Sequence, residues 1–138
     1  MLKVVLDTNV IVSGLNFPRS NPANILAMVA TGMIDNITSR HILDETRRIL
    51  VDKFSWSPKE GSGALLWLIT FSTSVNPEIR ISVIAHDPDN RILECALTGQ
   101  ADFIISGDRH LTDLENFQEI KLVNPAAFLA LINGLQGV

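Results

Sequence analysis

Short strand-like runs alternate along this chain with longer segments of helical period, and that alternation restricts the fold more than any other feature. The stretch "KVVLD", Lys3 to Asp7, is β-branched and apolar on both faces, the pattern of a strand buried in a parallel sheet. Similar runs follow at Ile34–Ile37, Thr73–Val75, within "ADFIIS" and at Ile120–Val123. Helical segments lie between them. Ala23–Thr31 ends at Gly32. Ser39 is placed to cap a helix over Arg40–Phe54. Pro58 suits the first turn of the next, which reaches Leu68 or so. Asp87 is a good N-cap, with Pro88 in the first helical position, for a helix running to Gly99. Pro125 opens a last helix towards Asn133, and Pro18–Pro22 reads as a loop. Strands alternating with helices predict an α/β fold whose mainly parallel sheet is covered by helices on both faces. No repeat or linker divides the 138 residues, so they read as a single domain.

Composition removes several function classes. Hydrophobic residues make up 46% and charged residues 19%, enough for a real core and unlike a disordered chain. The longest apolar stretch, "GALLWLITF", is far short of the roughly 20 residues a membrane span needs. No basic region followed by an apolar one opens the chain, so no signal peptide is expected. Cys95 is the only cysteine, which excludes a disulfide framework and a cysteine-rich zinc site and makes a reducing cytoplasm the expected setting. A net charge of −4 gives no global pull towards nucleic acid. The local cluster Arg40, Arg47, Arg48 and Lys53 reads first as a solvated helix face.

The acids are more informative. An unpaired buried carboxylate costs several kcal/mol, so acids set beside buried segments need a reason. Asp7 ends the first strand, where α/β sheets bind ligands; a turn or cap aspartate is the alternative. Asp108 follows "FIIS" and Gly107, just past the end of another strand. If the two strands are adjacent and parallel, these acids share a rim and repel unless a cation lies between them. Asp89 falls on the same helical arc as Ile92, Leu93 and Ala96, although a first-turn acid also suits the helix dipole. Glu45 borders the apolar stripe of Ile42, Leu43, Ile49 and Leu50, with Arg48 as its alternative partner. Mg²⁺ or Mn²⁺ is the natural counter-charge for four converging carboxylates, and such a site suits phosphodiester hydrolysis.

"VVLDTNVIVSG", the glutamate of "HILDETRRIL", "DPDNRILECAL" and "ADFIISGDRHL" resemble, in that order, the signature regions of PIN-domain ribonucleases, with the closest likeness to the toxin branch related to VapC. The resemblance implies a compact α/β/α sandwich and a metal-dependent endoribonuclease, often dimeric and neutralised by a cognate antitoxin protein. The family's acids match Asp7, Glu45, Asp89 and Asp108. Thr8 and Asn9 match the polar pair after the first acid, and Ser106 stands where relatives carry Thr or Ser. Asn90 stands where close relatives often carry another Asp, which leaves open whether it touches a metal or only orients Asp89. Asp87 is read as a cap with a supporting role. By this resemblance Asp7, Asp89 and Asp108 hold one or two Mg²⁺ or Mn²⁺ ions, Glu45 binds a second ion or positions water, and Arg109, Arg48, Arg47 and Arg40 are the candidate RNA contacts.

Other residues carry less. His41, His86 and His110 are scattered and lack zinc-site spacing, and neither Ser13-Gly14 nor Ser106-Gly107 belongs to a phosphate-binding loop pattern. Trp56 and Trp67, with Leu65, Leu66 and Phe71, offer an RNA-stacking platform as one reading and packing, or a dimer or antitoxin surface, as the favoured one; the helix around "ALLWLITF" is the best candidate for self-association. Three rival readings remain: a non-catalytic RNA-binding or interaction protein on the same scaffold; a receiver-type signalling domain, disfavoured because Asp7 stands alone; and a haloacid-dehalogenase-like phosphatase, disfavoured because Asn9 sits where a second aspartate is needed.

Overall fold

The computed structural model describes residues 1–136, and it orders the chain around one mostly parallel sheet. Strand β1 (Lys3–Leu6) is followed by helices α1 (Thr8–Asn16) and α2 (Asn21–Ala30), then β2 (Asp35–Ser39). Helices α3 (Arg40–Phe54) and α4 (Pro58–Phe71) lead to β3 (Ser72–Val75). Residues 76–86 form no regular element. Then come α5 (Asp87–Thr98), β4 (Phe103–Ile105), the short α6 (Arg109–Thr112), the hairpin β5 (Asn116–Phe117) and β6 (Ile120–Val123), and α7 (Pro125–Gln136).

The sheet order is β3-β2-β1-β4-β6-β5. All pairs are parallel except β5 with β6. The chain thus steps outward from β1 through β2 to β3, then returns to the other side of β1 at β4. Right-handed crossovers in opposite directions put their helices on opposite faces. Accordingly α1 to α4 and α7 form one connected layer, and α5 lies against β1, β2 and β4. The reversal leaves a crevice at the carboxyl ends of β1 and β4, the usual ligand position in such sheets. Val4, Val5, Leu6, Ile37, Ile104 and Ile105 fill the sheet centre and are buried.

Helix α1 departs from expectation, since nothing in "TNVIVSGLN" had marked it as a helix. Asp7 caps it: the Thr8 N–H donates to Asp7 Oδ1 at 2.8 Å. Gly14 then admits α2, because a Cβ there would lie 2.5 Å from Leu26 Cδ1 and 3.0 Å from the Pro22 carbonyl. The expected loop at Pro18–Pro22 is shorter: α2 starts at Asn21 with Pro22 in its first turn and the Ser20 hydroxyl accepting from the Ala23 N–H. Helix α4 runs on to Phe71, past the expected Leu68, from a capping box in which Ser57 and Glu60 exchange hydrogen bonds. Ser39 stands at the N-cap position of α3 but makes no side-chain cap bond. The N-cap of α5 is His86, not Asp87. Asp87 is instead the first helical residue and pairs with Arg91 one turn on.

Candidate active site

The end of β1 delivers Asp7 to the crevice, and the end of β4 delivers Ser106, Gly107 and Asp108 beside it. Asp7 is buried, and both its oxygens are held. Oδ1 accepts from the Thr8 N–H, and Oδ2 accepts from Ser106 Oγ at 2.7 Å and Asn9 Nδ2 at 3.0 Å. The Asn9 carbonyl oxygen accepts from the Gly107 N–H at 2.9 Å, and Ser106 Oγ accepts from the Asp108 N–H at 2.9 Å. Three short polar side chains therefore lock the two strand ends to one another.

Helices bring in the other acids. The first turn of α5 places Asp89, with Ile92 one turn on, and α3 places Glu45 and Ile49. Asp7, Asn9, Glu45, Ile49, His86, Pro88, Asp89, Ile92 and Asp108 line one cavity of about 170 Å³. The four acids expected from the sequence thus share a single wall-to-wall space. Thr8, Ser106, Asp87 and Asn90 do not line it. Thr8 and Ser106 hold Asp7 from behind, while Asp87 and Asn90 face residues 80–84.

The acids feel one another. Burial pushes the Asp7 carboxyl up to about 6; the Ser106 and Thr8 hydrogen bonds oppose this, and the Asp89 and Glu45 charges add to it. Asp89 is also raised, mainly by burial, with His86 and His110 opposing and Asp108 and Glu45 adding. Asp89 Oδ2 is buried with no hydrogen-bond partner. An orphaned carboxylate oxygen beside three further acids is a donor set made for a hard divalent cation. Among the described residues no three such groups already close on a common point. The side chains of Glu45 and Asp108 are 26% and 34% exposed, and Asp108 Oδ1 accepts from the His110 N–H at 2.9 Å as the N-cap of α6. The residues fit an Mg²⁺ or Mn²⁺ ion.

The histidines correct the impression of scatter. His41 Nε2 lies 3.5 Å from Glu45 Oε2, and the alternative pair of Glu45 with Arg48 does not form among the described residues. His110 Nδ1 lies 3.1 Å from Asp108 Oδ1, and the cavity includes His86 in its wall. Every histidine of the chain stands against this acid cluster. No local spacing signals that; only the sheet order brings the three together. Among the arginines, Arg40 pairs with Asp44, and Arg47 donates to Ser62 Oγ and to the Pro58 carbonyl. Arg48 and Arg109 are exposed. Burial pushes the Cys95 thiol up to about 12, far from a reactive thiolate.

Comparison with known proteins places this arrangement. An uncharacterized protein of Methanocaldococcus jannaschii, MJ1680, is 32% identical over 127 residues, covering 89% of this chain and 81% of that one. A chain of the VapBC2 crystal structure from Rickettsia felis, bound to a DNA fragment from their promoter, shares the fold with a TM-score of 0.64 at 14% identity, over 89% of this chain and 98% of that chain. The model of the PIN domain matches residues 3–110, which include all four pocket acids. On that match, with its acids gathered at the crevice between β1 and β4, the chain belongs to the PIN-domain family.

Proposed function

We propose that this PIN-domain chain is a divalent-cation-dependent endoribonuclease. One observation carries the reading: Asp89, whose buried Oδ2 has no hydrogen-bond partner, lines a cavity shared with Asp7, Glu45 and Asp108. Asp7, Asp89 and Asp108 would hold one or two Mg²⁺ or Mn²⁺ ions. When bound, the cation supplies charge neutralisation at the scissile phosphate and a more acidic water. The chain's own residues do the rest. Ser106 and Asn9 fix the orientation of Asp7, and Glu45, partly exposed on α3, takes a proton from the attacking water. Arg48 and Arg109, exposed near the cavity's acids in sequence, supply phosphate contacts. No nucleophilic side chain is required.

The R. felis complex on promoter DNA supports a protein partner for this chain as well, an antitoxin that neutralises a toxin. Self-association through α4 and a cytoplasmic setting complete the proposal. The test uses the purified chain, Mn²⁺ and a generic single-stranded RNA. Cleavage should vanish with EDTA and in Asp7→Asn. RNA binding without cleavage, indifferent to EDTA, would sink the nuclease reading in favour of an RNA-binding scaffold. Expression of the chain alone should arrest growth, and Asp7→Asn should not.

A further inference from the structure

Helix α5 carries two distinct polar faces. Asp89 and Ile92 face the acid cavity. Asp87, Asn90, Arg91 and Glu94 recur at helical spacing on another face, and all four turn to the irregular segment that precedes the helix. Asn90 is fully buried and uses its whole amide there. Its Oδ1 accepts from the Val83 and Ile84 N–H groups at 2.9 Å each, and its Nδ2 donates to the Ile84 carbonyl at 2.8 Å and to Asp87 Oδ1 at 3.4 Å. That is the full donor and acceptor capacity of an amide. Glu94 Oε2 accepts from the Ile81 N–H at 2.8 Å and from Arg91 at 2.8 Å, and Arg91 donates to the Ile81 carbonyl at 3.1 Å. Arg91 and Glu94 are nearly buried, their side chains 12% and 6% exposed. Ile81 anchors the segment in the core, while Ile79 and Val83 face outward.

A buried ion pair is a poor source of net stability, because desolvation of both charges offsets their attraction. Here it grips main-chain groups instead, a role that rewards fixed geometry. The gripped segment ends at His86, a wall of the acid cavity and the N-cap of α5, three residues before Asp89. His86 makes no side-chain cap bond; its carbonyl accepts from the Asp89 N–H at 3.0 Å, and the preceding residues 81–84 are gripped from α5.

We propose that Asn90, Arg91 and Glu94 are positioning residues: they clamp Ile81, Val83 and Ile84 by the main chain, and so fix His86 and the Asp89 turn against the acid cavity. Asn90 is then no cation ligand, and its amide is spent entirely on the clamp. The inference rests on the proposed cation site for its affinity readout, though not for its structural one. It deepens that reading by naming what preorganises it.

The test compares the full chain with Asn90→Ala, Asn90→Asp and Glu94→Gln. Mn²⁺ affinity is read by calorimetry, and backbone order by NMR relaxation in metal-free protein. Asn90→Ala should bind Mn²⁺ about tenfold more weakly, the lower end of the usual cost of losing a supporting hydrogen bond at a metal site. Order should fall over 81–89 while Asp7 and Asp108 stay rigid. Asn90→Asp still accepts both N–H groups but sets a carboxylate oxygen against the Ile84 carbonyl and Asp87, so it should recover only part of the affinity. Glu94→Gln keeps an acceptor for Ile81 but loses the charge pair, and should fall between the two. It also keeps the question decidable if Asn90→Ala does not fold. A folded Asn90→Ala protein with wild-type Mn²⁺ affinity and a rigid Asp89 turn overturns the proposal, as does loss of melting temperature alone. Should the wild type bind no Mn²⁺, the nuclease reading fails, and the relaxation data decide the clamp by themselves.

Discussion

Ser106 Oγ donates to Asp7 Oδ2 at 2.7 Å and joins strand ends that are 99 residues apart in sequence. The same oxygen accepts from the Asp108 N–H, so one hydroxyl sets the position of two pocket acids. Ser106 is fully buried. Ser106→Ala would leave an Asp7 lone pair without its shortest donor and should cost about 1–3 kcal/mol of stability, with Asp7 pushed higher still. Ser106→Thr keeps the hydroxyl. Urea unfolding of both variants checks the ranking: alanine must be the less stable. Equal loss in the two would mean that packing, and not the hydrogen bond, matters at this position.

The raised Asp7 carboxyl predicts how stability varies with pH. Its folded pKa of about 6 lies above the ordinary aspartate value of 3.8, so between these the native state binds the more protons. Stability therefore falls as pH rises through that window. With about two pH units at roughly 1.4 kcal/mol each, the metal-free protein should lose about 3 kcal/mol from this group in all, of which about 2 kcal/mol falls between pH 4 and pH 7. The direction at Asp89 is the same. Asp7→Asn removes the Asp7 part, so it should flatten the difference between pH 4 and pH 7 unfolding free energies and stabilise the apo protein at neutral pH. Mn²⁺ should raise the melting temperature of the wild type at pH 7.5 far more than that of the variant. A variant whose pH profile runs parallel to the wild type would remove Asp7 from the account.

The strands at β1, β2, β4 and β6 were legible because short β-branched runs have few other homes. The converging acids were legible for a related reason: each sits at a strand end or a core-facing helix edge, and topology does the rest. Helix α1 was hidden because Val10, Ile11 and Val12 favour strands by propensity. What makes them helical is Asp7 as a local cap together with the tertiary fit of Gly14 against α2. The histidine ring was illegible since His41, His86 and His110 meet only across the crevice. The clamp on α5 shows as an i, i+3, i+4, i+7 polar stripe, yet its target, residues 81–84, has no periodicity of its own. Asp87 looked like the cap because Pro88 follows it, but Pro tolerates the second helical position as well as the first.

Helix α4 predicts self-association. Gly61, Ala64 and Leu68 face inward, whereas Leu66, Ile69 and Phe71 are 66%, 50% and 42% exposed. Trp67 is half-buried and packs on Phe71 with ring centroids 5.2 Å apart, so it braces this surface and does not stack freely. Leu66→Glu and Ile69→Lys should each change the unfolding free energy by no more than about 0.5 kcal/mol, because exposed substitutions seldom cost more. Sedimentation velocity should show the wild type as a dimer and the double variant as a monomer. A wild type that sediments as a monomer at high concentration refutes this use of α4.

The arginines divide by what already occupies them. Arg47 ties α3 to α4 through Ser62 Oγ at 3.2 Å and the Pro58 carbonyl, and its stem lies 3.2 Å from where a Cβ on Gly61 would stand. Arg47→Ala should therefore lower stability and barely touch RNA affinity. Arg48 and Arg109 are exposed and in no ion pair among the described residues, so their charge is available to phosphate. In an Asp7→Asn background, expected to bind without cutting, Arg48→Ala and Arg109→Ala should each weaken single-stranded RNA binding. Each should also reduce the slope of log K against log salt by about 0.7, the value for one phosphate contact on a single strand. Arg40, already paired with Asp44 on the same helix, should change the slope less. Fluorescence anisotropy at several salt concentrations separates these cases. If Arg47→Ala alters the slope and Arg48→Ala does not, the strand follows a path over α4 and not along the open face of α3.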